Sequence, residues 1–231
     1  MHLYQQALGR LNWLVRGTRP DIAFVVHKLS QHCQSPTVRH WNGVKRVLRY
    51  LQHTKAIRLR YSGDNTQPEL FGYADTDFAG DSIDRKSTMG YAYLLHGGAI
   101  TRLSRKQRSV ATSTTEAEYM GLCNAAKEAV WLRNLLKSLG YEKYATQSTR
   151  IYGDNQGSLD LTANPTMHAR TKHIDVQYHY VRELAEQGVI KVEYMPTADM
   201  AADCLTKPLT RQLHERNLEL LGLERSSLRT Y

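Results

Sequence analysis

TSTTEAEYMGLCNAAKEAVWLRNLLKS, residues 112–138, decides how the rest of the chain is read. Leu122, Ala125, Ala129, Leu132 and Leu136 recur every three or four residues, the spacing of a helix with one buried face. Glu118 heads that stripe, four residues before Leu122, so a carboxylate is carried toward the core. Glu116 lies two residues earlier, about 200° around a helix of 3.6 residues per turn, and is expected in solvent. Just upstream the period changes to two. Glu69–Ala74 (extending to Asp75), Ser87–Leu95 and Ala99–Gln107 read as strands, the last two joined by the turn former His96-Gly97-Gly98.

Downstream, Arg150–Gly153 is a short apolar strand and Asn155–Ala163 a short helix ended by Asn164-Pro165. Thr171–Gln187 is a further helix stopped at Gly188, Val189–Met195 a strand, and Ala198–Thr206 a last helix before Pro208. The order βββαβααβα is that of an α/β layer fold, assigned to residues 69–210. Residues 211–231 read as a tail.

Ahead of the strands, three helices are expected. Leu3, Ala7, Leu11 and Leu14 mark the first, ended by Gly17 and Pro20; Ile22, Val25, Val26 and Leu29 mark the second, from Pro20 to about Gln34. The third follows Pro36, with Trp41, Val44, Val47, Leu48 and Leu51 inward; Trp13 is also expected in the core. The turn-rich stretch YSGDNTQP (61–68) is the domain boundary.

At 231 residues, 41% hydrophobic and 23% charged, the chain has the usage of an ordinary globular protein. No apolar stretch approaches the roughly 20 residues needed to span a bilayer, and the start MHLYQQALGR lacks a signal-peptide pattern, so no membrane association and an intracellular setting, cytoplasm or nucleus, are expected. Three scattered cysteines (Cys33, Cys123, Cys204) without a CxxC argue against a disulfide framework and a thiolate zinc site. The net charge of +9 is concentrated: residues 1–62 hold eleven Lys and Arg against one acid, Asp21. Such a basic surface attracts a phosphate backbone without regard to base sequence; the alternative is a solvated helix face that binds nothing.

Three acids interrupt surfaces that should be apolar. Alternation along the first central strand puts Asp75 on the face of Phe71 and Tyr73, which leaves it open between a ligand and an idle loop acid. Glu118 heads the buried stripe, and Asp154 ends a strand where the ligand crevices of α/β sheets open. In the last helix Asp199 and Asp203 are one turn apart, and the pattern does not choose between them. Converging carboxylates repel and resist desolvation, so together they call for cations. Hard oxygen donors without thiolates or clustered histidines select Mg²⁺ or Mn²⁺, and two such ions suit phosphodiester cleavage.

The runs YADTDFAGD (73–81), RKSTMGY (85–91), STTEAEY (113–119), YGDNQGSL (152–159), ARTKHID (169–175) and ADCLTKP (202–208) resemble the ribonuclease H domain of copia-type long-terminal-repeat retrotransposon polyproteins. GTRPDIAF (17–24) and HWNGVKRVLRYL (40–51) resemble the stretch that joins reverse transcriptase to it, so the resemblance covers nearly the whole chain. It implies a ribonuclease H-like fold, a five-stranded mixed sheet flanked by helices, preceded by a small helical segment. It also implies an endoribonuclease that cuts the RNA strand of RNA:DNA hybrids with two Mg²⁺ or Mn²⁺ ions, beside the reverse transcriptase of the same polyprotein.

Motif by motif, the family's catalytic and metal-binding acids fall on Asp75, Glu118, Asp154 and Asp203; the choice of Asp203 over Asp199 rests on the family. There the first aspartate bridges both metals, the glutamate and second aspartate hold the one near the leaving group, and the last serves the metal that activates water. Ser113 matches a hydroxyl position that contacts the DNA strand's phosphate. Arg170, Lys172 and His173, with His168, Lys127 and Arg133, are candidate guides for the hybrid, against plain surface solubility. The integrase-like relatives, with a late glutamate as third acid, are opposed by the early Glu118.

Departures from the family motivate the alternative of a catalytically inactive nucleic-acid-binding remnant. Met195-Pro196-Thr197 runs into the last helix without the mobile histidine of many ribonucleases H. Arg102 stands where copia-type relatives usually have Trp, and Met89 and Gly121 where they usually have Ser and Ala.

Overall fold

The computed structural model describes residues 1–63, 69–157 and 172–226, with backbone alone at 172–175. Strands β2 (Phe71–Asp77), β3 (Thr88–Leu95), β4 (Gly98–Lys106), β5 (Thr149–Gly153) and β6 (Ile190–Tyr194) form one mixed sheet in the order β4-β3-β2-β5-β6. β2, β3 and β4 pair antiparallel, whereas β5 runs parallel to β2 and β6 parallel to β5. This is the five-stranded sheet flanked by helices that the resemblance implies.

The strand alternation and the helix stripe meet in one core. Leu122, Ala125, Ala129, Leu132 and Leu136 of α4 (Thr114–Ser138) are buried against Tyr91, Tyr93 and Ile151, with Val181 and Leu184 of α5 (Lys172–Glu186) completing the layer. The opposite face is covered by Met200, Ala201, Ala202 and by Cys204 and Leu205 of α6 (Asp203–Thr206), packed on Tyr73, Ala92 and Leu94. Gly90 on β3 permits that approach: a Cβ there would lie 2.7 Å from Leu205 Cβ. A side chain at this position would push α6 off the sheet.

The N-terminal helices α1 (His2–Gly17), α2 (Ala23–Ser30) and α3 (Val38–His53) enclose a core of their own, from Tyr4, Leu8 and Leu11 to Val44 and Val47. They are also joined to the sheet. Ala23 belongs to the second core cluster, His27 Nε2 accepts from Lys106 N at 3.0 Å, and Lys28 lies 3.5 Å from Asp81.

Several expectations are corrected. Of the expected stripe of α1, Leu11 is buried and Ala7 and Leu14 pack against the same core, but Tyr4 and Leu8 are buried in place of Leu3; the Tyr4 hydroxyl donates to Leu29 O at 2.7 Å and its ring packs near Trp41. Leu3 and Trp13 consequently face solvent, at 64% and 74% exposure, and Leu48 is exposed on α3. The second helix opens with a 3₁₀ turn, Pro20–Ile22, and its α-helical part ends at Ser30. The expected last helix is two pieces, a 3₁₀ turn Thr197–Asp199 and the short α6, separated at Met200, whose extended backbone leaves the helical region.

The stretch read as a tail is structured through residue 225. Helix α7 (Arg211–Leu220) is capped by Thr210, and its buried Asn217 donates to Met200 O at 3.1 Å. Strand β7 (Leu223–Arg225) pairs antiparallel with β1 (Ile57–Leu59), a strand that the sequence pattern did not reveal. Most of the short helix expected over Asn155–Ala163 lies outside the described residues.

Candidate active site

Register alone brings two of the four acids together. β2 and β5 are parallel with Tyr73 opposite Tyr152, so Asp75 and Asp154, each two residues further on, emerge side by side at the carboxyl ends of neighbouring strands. The seating of α6 against Gly90 adds the third: one carboxylate oxygen from each of Asp75, Asp154 and Asp203 lies within 4.8 Å of the others. Asp75 and Asp203 are buried, at 2% and 5% exposure, and Asp154 is half-buried. Phe71, Tyr73 and Tyr152 wall the sheet surface below them, with ring centroids 5.6 to 6.0 Å apart.

Glu118 stands outside this triad, half-buried at the head of the α4 stripe and still within its field. Burial, reinforced by the negative charges of Asp75 and Asp154, pushes its carboxyl well above the usual carboxylate range. Asp75 is raised as well, by burial against the opposing pull of Lys207 and of the Thr206 hydroxyl, which donates to Asp75 Oδ2. Asp203 is pushed up to about 7 by burial and by Asp75. The only ammonium paired with these acids among the described residues is Lys207, whose Nζ lies 2.9 Å from Asp203 Oδ1 and 3.7 Å from Asp75 Oδ2. Asp154 Oδ2 accepts from Thr197 Oγ1 at 2.9 Å.

The donor set fits divalent cations. It offers several carboxylate oxygens, no thiolate and no imidazole, the preference of Mg²⁺ and Mn²⁺. Asp203 Oδ1 is buried, with no partner of good hydrogen-bond geometry among the described residues and only the Lys207 ammonium beside it at 2.9 Å. One ammonium does not balance four acids in so little water.

Other sequence-derived candidates are placed as follows. Ser113 is the N-cap of α4, its Oγ accepting from Glu116 N at 3.1 Å. Glu116, expected in solvent, is buried: it occupies the first turn, where its carboxylate accepts from Thr112 N at 2.8 Å and from the Thr112 hydroxyl. A glutamate three residues after an N-cap serine is a helix-start signal present in the sequence, although here its carboxylate takes the amide of Thr112 rather than that of the N-cap Ser113. Asp199 is turned away from the triad and pairs with Arg216. Arg170 and His168 lie outside the described residues, and Lys172 and His173 open α5. The residue that the sequence reading passed over is Lys207, although its position four residues after Asp203 on a helix was visible.

Of the eleven N-terminal bases, Arg19 is buried and Lys28 half-buried, each in an ion pair; the other nine are exposed. The basic surface therefore exists in the folded chain.

No family model matches the chain. Among curated proteins it is 42% identical over 220 residues to the retrovirus-related Pol polyprotein from transposon TNT 1-94 of Nicotiana tabacum, covering 95% of this chain and 16% of that protein. It is 42% identical, again over 220 residues, to that from transposon RE2 of Arabidopsis thaliana, covering 95% of this chain and 15% of the relative. Over 129 residues it is 48% identical to secreted RxLR effector protein 161 of Plasmopara viticola, 56% of this chain and 90% of the other. Among solved structures it is similar to the foamy viral protease-reverse transcriptase in complex with RNA/DNA hybrid (TM-score 0.49, 15% identity, 90% of this chain and 26% of the other). It is likewise similar to the N-terminal RNase H domain of rv2228c from Mycobacterium tuberculosis (TM-score 0.44, 15% identity, 66% and 97%). The chain spans about one sixth of the length of the Pol polyproteins it matches. By this homology the chain corresponds to a segment of the retrotransposon Pol polyproteins.

Proposed function

We propose that this segment is a metal-dependent endoribonuclease that cuts the RNA strand of RNA:DNA hybrids, with Asp75, Glu118, Asp154 and Asp203 as its catalytic and metal-binding residues. The observation that carries this reading is the convergence of three carboxylates, on β2, just after β5 and on α6, within 4.8 Å of one another, with Lys207 the only ammonium paired with them among the described residues. Two Mg²⁺ or Mn²⁺ ions bound there would supply the Lewis acidity for phosphodiester hydrolysis. Asp75, the most buried of these acids, would be shared by both ions, Glu118 and Asp154 would hold one of them and Asp203 the other. The aromatic floor under the acids keeps bulk water from one side of the cluster and strengthens every charge interaction within it.

Recognition by backbone shape and 2′-OH fits a site at the sheet's carboxyl edge, where no groove reads base edges. Ser113, at the start of α4, can donate its hydroxyl hydrogen to a phosphate while its oxygen caps the helix. Arg170, Lys172 and His173 are proposed guides for the hybrid, and the nine exposed N-terminal bases extend the electrostatic track. The reverse transcriptase of the same polyprotein is the proposed covalent neighbour.

The test is cleavage of a labelled hybrid by the 231-residue chain in Mg²⁺ and in Mn²⁺, with Asp75→Asn and Asp154→Asn beside it. Cutting confined to the RNA strand and lost in both variants supports the assignment, whereas cutting that survives either variant removes it. A second reading, a nucleic-acid-binding remnant without catalysis, draws on the half-buried Arg102, which pairs with no carboxylate among the described residues. It expects salt-sensitive hybrid binding and no cutting at any metal concentration.

A further inference from the structure

We infer that Lys207 is an internal stand-in for the divalent ions: its ammonium lies among the acids of the metal-free protein and must leave when metal enters. This rests on the site reading above. The Nζ is 2.9 Å from Asp203 Oδ1 and 3.7 Å from Asp75 Oδ2, so it bridges the two most buried acids of the triad. Its charge also reaches Asp77, Glu118 and Asp154, which makes it a positive neighbour shared by five of the described acids.

The backbone of Lys207 is fixed and its side chain is not. Its amide donates to Asp203 O at 3.1 Å as the C-cap of α6, and Pro208 follows. The side chain as a whole is 31% exposed, which gives the head group a path into solvent that leaves the helix in place. An arginine would hold both carboxylates in a rigid fork; a lysine offers a compact charge that can be exchanged for another cation. Without some cation, buried like charges a few ångströms apart either take up protons or force the pocket open. Lys207 therefore keeps the acids gathered before metal arrives and competes with it afterwards.

The experiment compares the 231-residue wild type with Lys207→Met and Lys207→Arg, using Mn²⁺ alone, without nucleic acid. Titration calorimetry is expected to show Mn²⁺ binding Lys207→Met about tenfold more tightly than wild type. Melting in EDTA is expected to fall by several degrees in Lys207→Met and to be largely restored in Lys207→Arg. In wild type, amine-reactive labelling read by peptide mass spectrometry should rise severalfold at Lys207 when Mn²⁺ is added, with Lys191 as internal reference; this arm needs no variant to fold. Equal Mn²⁺ affinity in wild type and Lys207→Met, or labelling that ignores Mn²⁺ while calorimetry shows it bound, overturns the exchange and leaves the metal site standing. Absence of Mn²⁺ binding in both, indistinguishable from an Asp75→Asn control, overturns the metal-site reading and the exchange with it.

Discussion

Two buried aspartates, one in each half of the molecule, are treated in opposite ways. Asp21 begins the second N-terminal helix and has everything a buried carboxylate needs. Arg19 Nε donates to its Oδ1 at 2.9 Å, Arg19 Nη2 to its Oδ2 at 2.6 Å, and the Tyr50 hydroxyl to Oδ2 at 2.7 Å. Tyr50 in turn meets His214 Nε2 of α7 at 3.1 Å, and Thr54 takes a further Arg19 donor, so the charge closes a network that ties the N-terminal helices to the C-terminus. Asp75, at 2% exposure, has one hydroxyl, an ammonium 3.7 Å away and three neighbouring acids. A carboxylate that serves architecture is satisfied by the protein, and one that serves chemistry is left wanting a cation.

The comparison breaks or sharpens under substitution. The largest effect is expected from Asp75→Asn: hybrid cleavage should fall by roughly 10³-fold, because several kcal/mol of metal-mediated transition-state stabilisation are lost. The same change should leave the metal-free protein no less stable, since it removes a repelling charge. Asp21→Asn should do the reverse. Urea unfolding is expected to show a loss of about 3 kcal/mol, as in breaking a buried ion pair, with Arg19 stranded and the catalytic acids untouched. Equal destabilisation by the two substitutions would erase the distinction.

Next in size is a packing test of the family departures near the site. A Cβ at Gly121 would collide with Thr76 Oγ1, a buried hydroxyl without a hydrogen-bond partner, and would lie 3.7 Å from Met89 Cβ. Gly121, Thr76 and Met89 thus share one space, and the small residue on α4 makes room for the larger ones on the sheet. Gly121→Ala alone is expected to cost about 1–3 kcal/mol by overpacking. Adding Thr76→Ala should recover most of it in a double-mutant cycle; additive losses would show that the positions are uncoupled.

Acidity provides a further contrast. A carboxyl raised in the folded state holds protons that the unfolded chain releases, so its contribution favours folding below the ordinary aspartate range and is lost as pH rises toward its folded value. For Asp203 that loss runs from about pH 4 up to about 7. Metal-free protein should therefore melt lower at pH 8 than at pH 6, and the rise in Tm on adding Mg²⁺ should be larger at pH 8. A Mg²⁺ effect that does not change over this range would contradict the raised acids. The smallest effect is expected at Arg102, which is mostly buried, donates to Val15 O and has its pKa lowered by desolvation. Arg102→Trp keeps an N–H donor while removing a buried charge, and should stabilise the chain by about 1 kcal/mol in thermal melts.

Long periodic elements were readable from the residues because their period is set by local geometry. The α4 stripe and the β3–β4 hairpin lie where spacing placed them, and Asp75 and Asp154 fall on and just after two neighbouring strands. Short elements were not readable. β1 and β7 have three residues each and are strands because they meet each other; α7 is held by Asn217 on Met200 O and by His214 against Tyr50, far away in the chain. Leu3 was misassigned on α1 because an aromatic hydroxyl, that of Tyr4, found a distant carbonyl that no count of apolar residues on one helix can anticipate.

The order of residues by itself determined which groups could do chemistry: four acids, no thiolate site, and a basic N-terminal quarter. It also fixed the α/β layering, since periods of 2 and 3.6 are properties of a single strand or helix. Tertiary structure alone decided that Asp203 and not Asp199 joins the cluster, that Glu116 is spent on a helix cap, and that Lys207 stands among the acids. Those outcomes depend on how α6 is seated on Gly90 and on the register of β5 beside β2, and such contacts are settled only when distant segments compete for the same space.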